Sequence, residues 1–211
     1  MIQKVSTQFQ DSLYLQKYSN ILGMDEAGRG PWAGSVVMAG IILTSKSIQI
    51  KGVDDSKKLT SAKREELYEK IINTHNYSIV SISAKEIDKI GIGHALIKGY
   101  RQIIDNLPAE YILIDGYFKK EYFRENVACI TKGDNKMYAI AAASILAKYT
   151  RDKEMEYWDL QYPRYNFKVH KGYGTMEHTK KITEFGICAI HRMSYQPMKN
   201  LSQFKKSKNK V

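Results

Sequence analysis

The residues with the clearest chemistry are carboxylates that follow short apolar runs. Ile21-Leu22-Gly23-Met24 leads into Asp25-Glu26 and then Ala27-Gly28-Arg29-Gly30-Pro31. Tyr111-Ile112-Leu113-Ile114 delivers Asp115 before Gly116, and Val127 to Ile130 leads to Lys132-Gly133-Asp134. Strand ends gathered at one edge of a sheet can bring such sequence-distant acids within a few ångströms. Hard divalent cations such as Mg²⁺ and Mn²⁺ take oxygen ligands and keep positions open for a substrate phosphate. Two such ions about 3.5–4 Å apart can activate water and stabilise the leaving oxygen in phosphodiester cleavage. Any one acid at a strand end, taken alone, is better read as a turn former. The whole set, flanked by Gly28, Gly30, Gly116 and Gly133, points to a metal site. Asp152, in Thr150-Arg151-Asp152, is a further candidate ligand, although its place late in a helix beside Arg151 suits a local ion pair. Neighbouring strand residues point to opposite faces, so the first strand is expected to end or bend at Glu26.

The glycines around Arg29 do not form a dinucleotide-binding loop. The third glycine, Gly34, comes one residue too late, Pro31 intrudes, and the following run resembles a strand. No Gly-Lys-Ser/Thr phosphate loop occurs either. What remains is close approach of backbone amides and carbonyls to a ligand, or simply a tight turn. His170-Lys171-Gly172-Tyr173 sets an aromatic ring and a cation beside a glycine, a combination that suits sugar stacking and phosphate contact.

The elements that must position these groups read as alternating strands and helices. Strands are predicted at 21–25, 35–43, 77–83, 111–114 and 127–130. Thr60 is expected to cap a helix whose apolar face includes Leu67, Ile71 and Ile72. Further helices are expected at 84–90, 93–107 and 176–184, the second ended by Pro108. The longest, from Lys136 to about Tyr162, opens with small residues that permit close approach to a sheet. This is an α/β pattern with a mixed sheet.

With 211 residues, one domain is expected, its core spanning about 20–198 and a basic, flexible tail spanning 199–211. Lys and Arg number 33 against 22 Asp and Glu, a net charge of +11 that favours a polyanionic partner such as nucleic acid. Cys129 and Cys188 form no Cys-x-x-Cys pair, which argues against a zinc site or disulfide framework. No signal-like or membrane-spanning run appears, so a cytoplasmic location is expected.

Six segments together resemble bacterial ribonuclease HII: Asp-Glu-Ala-Gly-Arg-Gly-Pro at 25–31, Asp-Ser-Lys-Lys-Leu at 55–59, Leu-Ile-Asp-Gly at 113–116, Lys-Gly-Asp at 132–134, Ala-Ala-Ser-Ile-Leu-Ala-Lys at 142–148 with Thr-Arg-Asp after it, and His-Lys-Gly-Tyr at 170–173. The resemblance implies an RNase H-like fold with a mixed β-sheet flanked by helices and a helical C-terminal extension. It implies cleavage of the RNA strand of RNA/DNA hybrids, and of duplex DNA at single ribonucleotides; a monomer is expected. Asp25, Glu26, Asp115 and Asp134 would be the catalytic metal-binding acids, with Mg²⁺ or Mn²⁺ as cofactor; this prefers Asp134 to Asp152. Backbone groups of Gly28, Arg29 and Gly30 would read the ribose 2′-hydroxyl, and Tyr173 would stack on the next sugar. Lys57, Ser144 and Lys148 would contact phosphates. Related type HIII enzymes carry an extra N-terminal domain, whereas only 24 residues precede Asp25, and the Gly-Arg-Gly form also favours HII. Trp32 and Gly116-Tyr117-Phe118 depart mildly from the family pattern. A structure-selective DNA nuclease of the same superfamily and a non-catalytic nucleic-acid-binding module are the alternatives.

Overall fold

The computed structural model describes residues 9–123, 126–196 and 198–199. The predicted tail at 199–211, including the lysines from Lys205 onward, therefore lies outside the described residues except for Lys199. Chain order is α1 (Asp11–Leu15), β1 (Asn20–Ala27), β2 (Val36–Thr44), α2 (Ser61–Thr74), β3 (Tyr77–Ile82), α3 (Ala84–Ile90), α4 (Ile92–Asn106), β4 (Tyr111–Asp115), β5 (Val127–Ile130), α5 (Tyr138–Gln161), α6 (Phe167–His170) and α7 (Met176–Phe185). Short 3₁₀ turns precede β5, α5 and α6. The five strands form one sheet in the order β3-β2-β1-β4-β5. β1 is antiparallel to β2 and parallel to β4, and β4 is parallel to β5, so the sheet is mixed.

The chain divides into two compact units. The first takes in residues up to Ala27, then Val37–Val80 and Ile97–Tyr149. Its core packs β1, β2 and β4 residues such as Ile21, Ile41 and Leu113 against Leu67 and Ile71 of α2 and Ala139 to Ala142 of α5. The small residues of α5 have the predicted use. A Cβ added to Gly23 of β1 would lie 2.3 Å from the Ala139 Cβ and 2.5 Å from its carbonyl carbon, so strand and helix backbones meet where neither carries bulk. On the other face of the sheet, a Cβ on Gly99 of α4 would overlap Met38 of β2 at 1.8 Å. Thr60 caps α2 as predicted, its side chain accepting from the Lys63 amide.

α1 was not foreseen. It forms where Asp11, fully buried, caps the start of α5, its oxygens accepting from the amides of Tyr138 at 2.6 Å and Ala139 at 3.0 Å. Burial raises the Asp11 pKa, and these amides oppose that rise.

The second unit comprises Gly28–Val36, Ser81–Leu96 and residues from Thr150 onward. Its core gathers Ala33, Met155, Phe167, Ile182 and Ile190, with the partly buried Trp32, Trp158 and Phe185 against them. Among the described residues no helix is long and apolar enough to cross a membrane.

One expectation is corrected here. β1 does not stop at Glu26: Glu26 pairs with Met38 and Ala27 with Val37, in the antiparallel register that began at Asn20. Pairing with β4 ends earlier, at Met24. β2 continues to supply backbone partners on its side, so the strand persists past the acids.

Candidate active site

The first unit carries all four candidate acids. Strand alternation decides where Asp25 and Glu26 go. Gly23 faces Ala139 of α5, so Asp25, two residues on, shares that face. Glu26 leaves by the other face, where the Tyr100 hydroxyl of α4 donates to its Oε2. Asp25 is buried, and its Oδ1 accepts from the Glu26 amide at 2.7 Å. Asp115 ends β4, and its Oδ1 accepts from the Gly133 amide at 2.6 Å. That bond ties the end of β4 to the 3₁₀ turn Gly133–Asn135, which carries Asp134. Lys132 enters the turn with φ 55° and ψ 47°, and Gly133 leaves room for both Asp115 and Ile140.

The electrostatics are those of crowded carboxylates. The Asp25 pKa lies well above the usual range, first because of burial and then because of repulsion from Glu26, Asp115 and Asp134. Burial also raises the Asp134 pKa, with Asp55 and Asp115 adding to the effect, while Asn135 and Lys57 oppose it. The Tyr100 phenol is pushed up by burial and then by Glu26 and Asp25. The exposed Lys57 ammonium stands 3.9 Å from the Asp134 carboxylate. Among the described residues, no three His, Cys, Asp or Glu side chains converge closely enough to hold an ion as they stand. The acids are near enough to repel one another. Oxygen-only donors under mutual repulsion fit a hard divalent cation, which would relieve that repulsion.

Ser144 is buried on α5; it donates to the Ala141 carbonyl at 2.9 Å and accepts from the Ser56 amide at 3.3 Å. It thus anchors the loop that bears Lys57. Lys148 lies half-buried on the same helix.

The second unit carries the glycine loop and Tyr173. Gly28 has φ 97°, and a Cβ there would lie 2.1 Å from Nε of Arg151. Arg192, fully buried, gathers this loop. Its Nη2 donates to the carbonyls of Gly28 and Ser35, each at 2.7 Å, its Nη1 to Arg29 at 3.0 Å, and its Nε to Gly34 at 2.9 Å. Arg151 adds bonds to the Ser35, Ala33 and Lys171 carbonyls. Burial, and then Arg192, lowers the Arg151 pKa to about 10. Gly30 comes beside Tyr173, whose ring carbon would lie 4.0 Å from an added Cβ. Tyr173 is 45% exposed, with the Arg151 guanidinium 5.8 Å from its ring centre.

His170 is buried under this loop, where its Nε2 donates to the Tyr165 carbonyl and its Nδ1 accepts from the Gly172 amide. His178 stacks on it at 4.3 Å, donates through Nδ1 to the Tyr173 carbonyl, and accepts through Nε2 from His191. His191 Nδ1 then accepts from the Cys188 amide. The bonds from His170 and His178 hold the backbone of Gly172 and Tyr173.

Sequence reasoning singled out the acids, the glycine loop and Tyr173. It missed Tyr100, Arg192, the support given by Arg151, and the pair His178–His191. Asp152 falls in the second unit, while the acids whose charge Asp25 feels all belong to the first.

The ribonuclease HII family model matches residues 22–198. Ribonuclease HII of Coxiella burnetii is 46% identical over 199 residues, covering 92% of this chain and 98% of that one. Among solved structures, ribonuclease H2 of Pyrococcus horikoshii OT3 superposes with a TM-score of 0.76 at 27% identity, covering 89% of this chain and 99% of that one. Bst-RNase HIII, solved in complex with Mn²⁺, shares the fold with a TM-score of 0.72 at 19% identity, covering 97% of this chain and 77% of that one. From its glycine loop to its last acid, and over nearly its whole length, this chain belongs to the ribonuclease HII family.

Proposed function

We propose that this ribonuclease cuts the RNA strand of RNA/DNA hybrids, and duplex DNA at single embedded ribonucleotides, by metal-assisted hydrolysis. The observation that carries the reading is the set of mutually repelling carboxylates around Asp25, which contains oxygen donors alone. Asp25, Glu26, Asp115 and Asp134 hold Mg²⁺ or Mn²⁺; Bst-RNase HIII, of the same fold, was solved with Mn²⁺. Two ions bound there would supply an activated water and stabilise the departing 3′ oxygen.

The chain's own groups bind and orient the substrate. The peptide groups of Gly28, Arg29 and Gly30 meet the ribose 2′-hydroxyl, which tells RNA from DNA. Arg192 supports this role by fixing the planes of the Gly28 and Arg29 peptides. The Tyr173 ring, beside Gly30, stacks on the neighbouring sugar and favours deoxyribose there. Lys57 and Lys148 contact phosphates, and Ser144 contributes through the loop it anchors. Glu26 and Gly28 are separated by one residue, so the cut falls next to the sugar being read. Hydrolysis leaves a 3′-hydroxyl and a 5′-phosphate on the ribonucleotide, with no covalent enzyme intermediate, and the enzyme acts as a monomer.

The test is incubation of a duplex carrying one ribonucleotide with Mg²⁺ or Mn²⁺, beside an all-DNA duplex of the same sequence. Cutting confined to the first duplex, on the 5′ side of the ribonucleotide, is expected. Equal cutting of both, or of neither, rejects the reading.

A further inference from the structure

Adjacent acids on a regular strand point to opposite faces, and β1 remains regular through Ala27. Asp25 takes the α5 face; Glu26 therefore needs something on the α4 face to direct its carboxylate. Tyr100 is fully buried there, and its hydroxyl donates to Glu26 Oε2. Its ring is held edge-on by Phe118, at 5.4 Å and 88°, and by Phe123, at 6.5 Å and 66°. Phe118 and Phe123 also pack against each other at 5.8 Å. A ring held in this way points its hydroxyl in one direction.

We propose that Tyr100 is a positioning residue for the metal site, acting through Glu26. Its rigid hydroxyl ties down one carboxylate oxygen and sets the plane of the group, limiting the rotamers from which Glu26 meets a cation. Groups that orient a metal ligand in this way typically change metal affinity by about 10–100-fold when removed. The inference rests on Glu26 being a metal ligand, as proposed above.

The experiment titrates Mn²⁺ into the substrate-free protein and follows the free-ion signal by electron paramagnetic resonance. It compares wild type, Tyr100→Phe, Glu26→Gln and the double variant, with thermal melting as the check on folding. Tyr100→Phe keeps the ring and loses the donor, and its Mn²⁺ affinity is expected to fall about tenfold. In the Glu26→Gln background the same change is expected to add nothing, because its route of action is gone. Should Tyr100→Phe fail to fold, Phe118→Leu loosens the ring without touching Glu26 and is expected to weaken Mn²⁺ binding in the same direction. Unchanged or tighter binding in the folded single variant, or a full loss persisting in the Glu26→Gln background, overturns the inference. A wild type that takes up no Mn²⁺ would instead refute the metal reading itself.

Discussion

Tyr173 illustrates how far a single exposed side chain depends on what lies beneath it. Its ring is half in solvent, but its carbonyl accepts from His178 and its amide donates to the His170 carbonyl. A held backbone under a free ring suits stacking on a sugar. Tyr173→Ala is therefore expected to reduce cleavage of single-ribonucleotide duplexes by at least tenfold more than cleavage of long hybrids. In a long hybrid the next sugar is never deoxyribose, so the preference at that position contributes little. Initial rates on the two substrates check this, and equal losses would remove Tyr173 from the junction.

The buried histidines below the ring carry a pH signature. Burial holds His178 and His191 at about 4, against an unfolded value near 6.5. Between those values the unfolded chain binds protons that the folded pair refuses. Their contribution to stability is thus complete above about pH 6.5 and is lost as pH falls toward 4, by up to about 1.4 kcal/mol per pH unit for each ring. Asp11, Asp25 and Asp134 act with the opposite sign, because their raised pKa values let the folded chain keep protons that the unfolded chain releases. Histidine side-chain NMR separates the two effects. Both rings are expected to remain neutral at pH 6, and titration near 6.5 would contradict the buried assignment.

At the scale of elements, β1 and α5 approach closely where Gly23 meets Ala139. The atoms that an added methyl would strike include helix backbone, which a side-chain rotation cannot relieve. Gly23→Ala is expected to cost about 3 kcal/mol or more in urea unfolding, and also to weaken metal binding, because Asp25 lies two residues further along the same face. A loss below about 1 kcal/mol would mean that strand and helix separate easily.

The strands, the capped α2 and the small-residue helix α5 were legible because their signals are local: apolar runs, one hydroxyl at a helix start, and alanines in succession. The candidate acids were legible for the same reason, each lying at the end of a short apolar run or a few residues beyond it. The long-range contacts that hold the acids, the glycine loop and the start of α5 were not. Tyr100 meets Glu26 across 74 residues, Arg192 meets Gly28 across 164, and Asp11 meets Tyr138 across 127. No periodicity within a short window reports such pairs. The end of β1 is not legible from the two acids alone, because the β2 backbone opposite them keeps the ladder going.

Taken as a whole, the chain assigns its tasks by unit. The acids, Tyr100 and Lys57 belong to the first; the glycine loop, Tyr173, Arg151 and Arg192 belong to the second. The excess of cations, +11 overall, suits a polyanionic partner. On this account the chemistry depends on the first unit's carboxylates and duplex binding depends largely on other residues. The most direct measurement sets Asp134→Asn beside Asp152→Asn, following both cleavage of and affinity for a duplex with one ribonucleotide. Asp134→Asn is predicted to lose at least about a thousandfold in rate, on the scale of a lost electrostatic stabiliser, while binding the duplex within about threefold of wild type. Asp152→Asn is predicted to keep most of its rate. Wild-type turnover in Asp134→Asn, with the loss appearing in Asp152→Asn instead, would contradict the account.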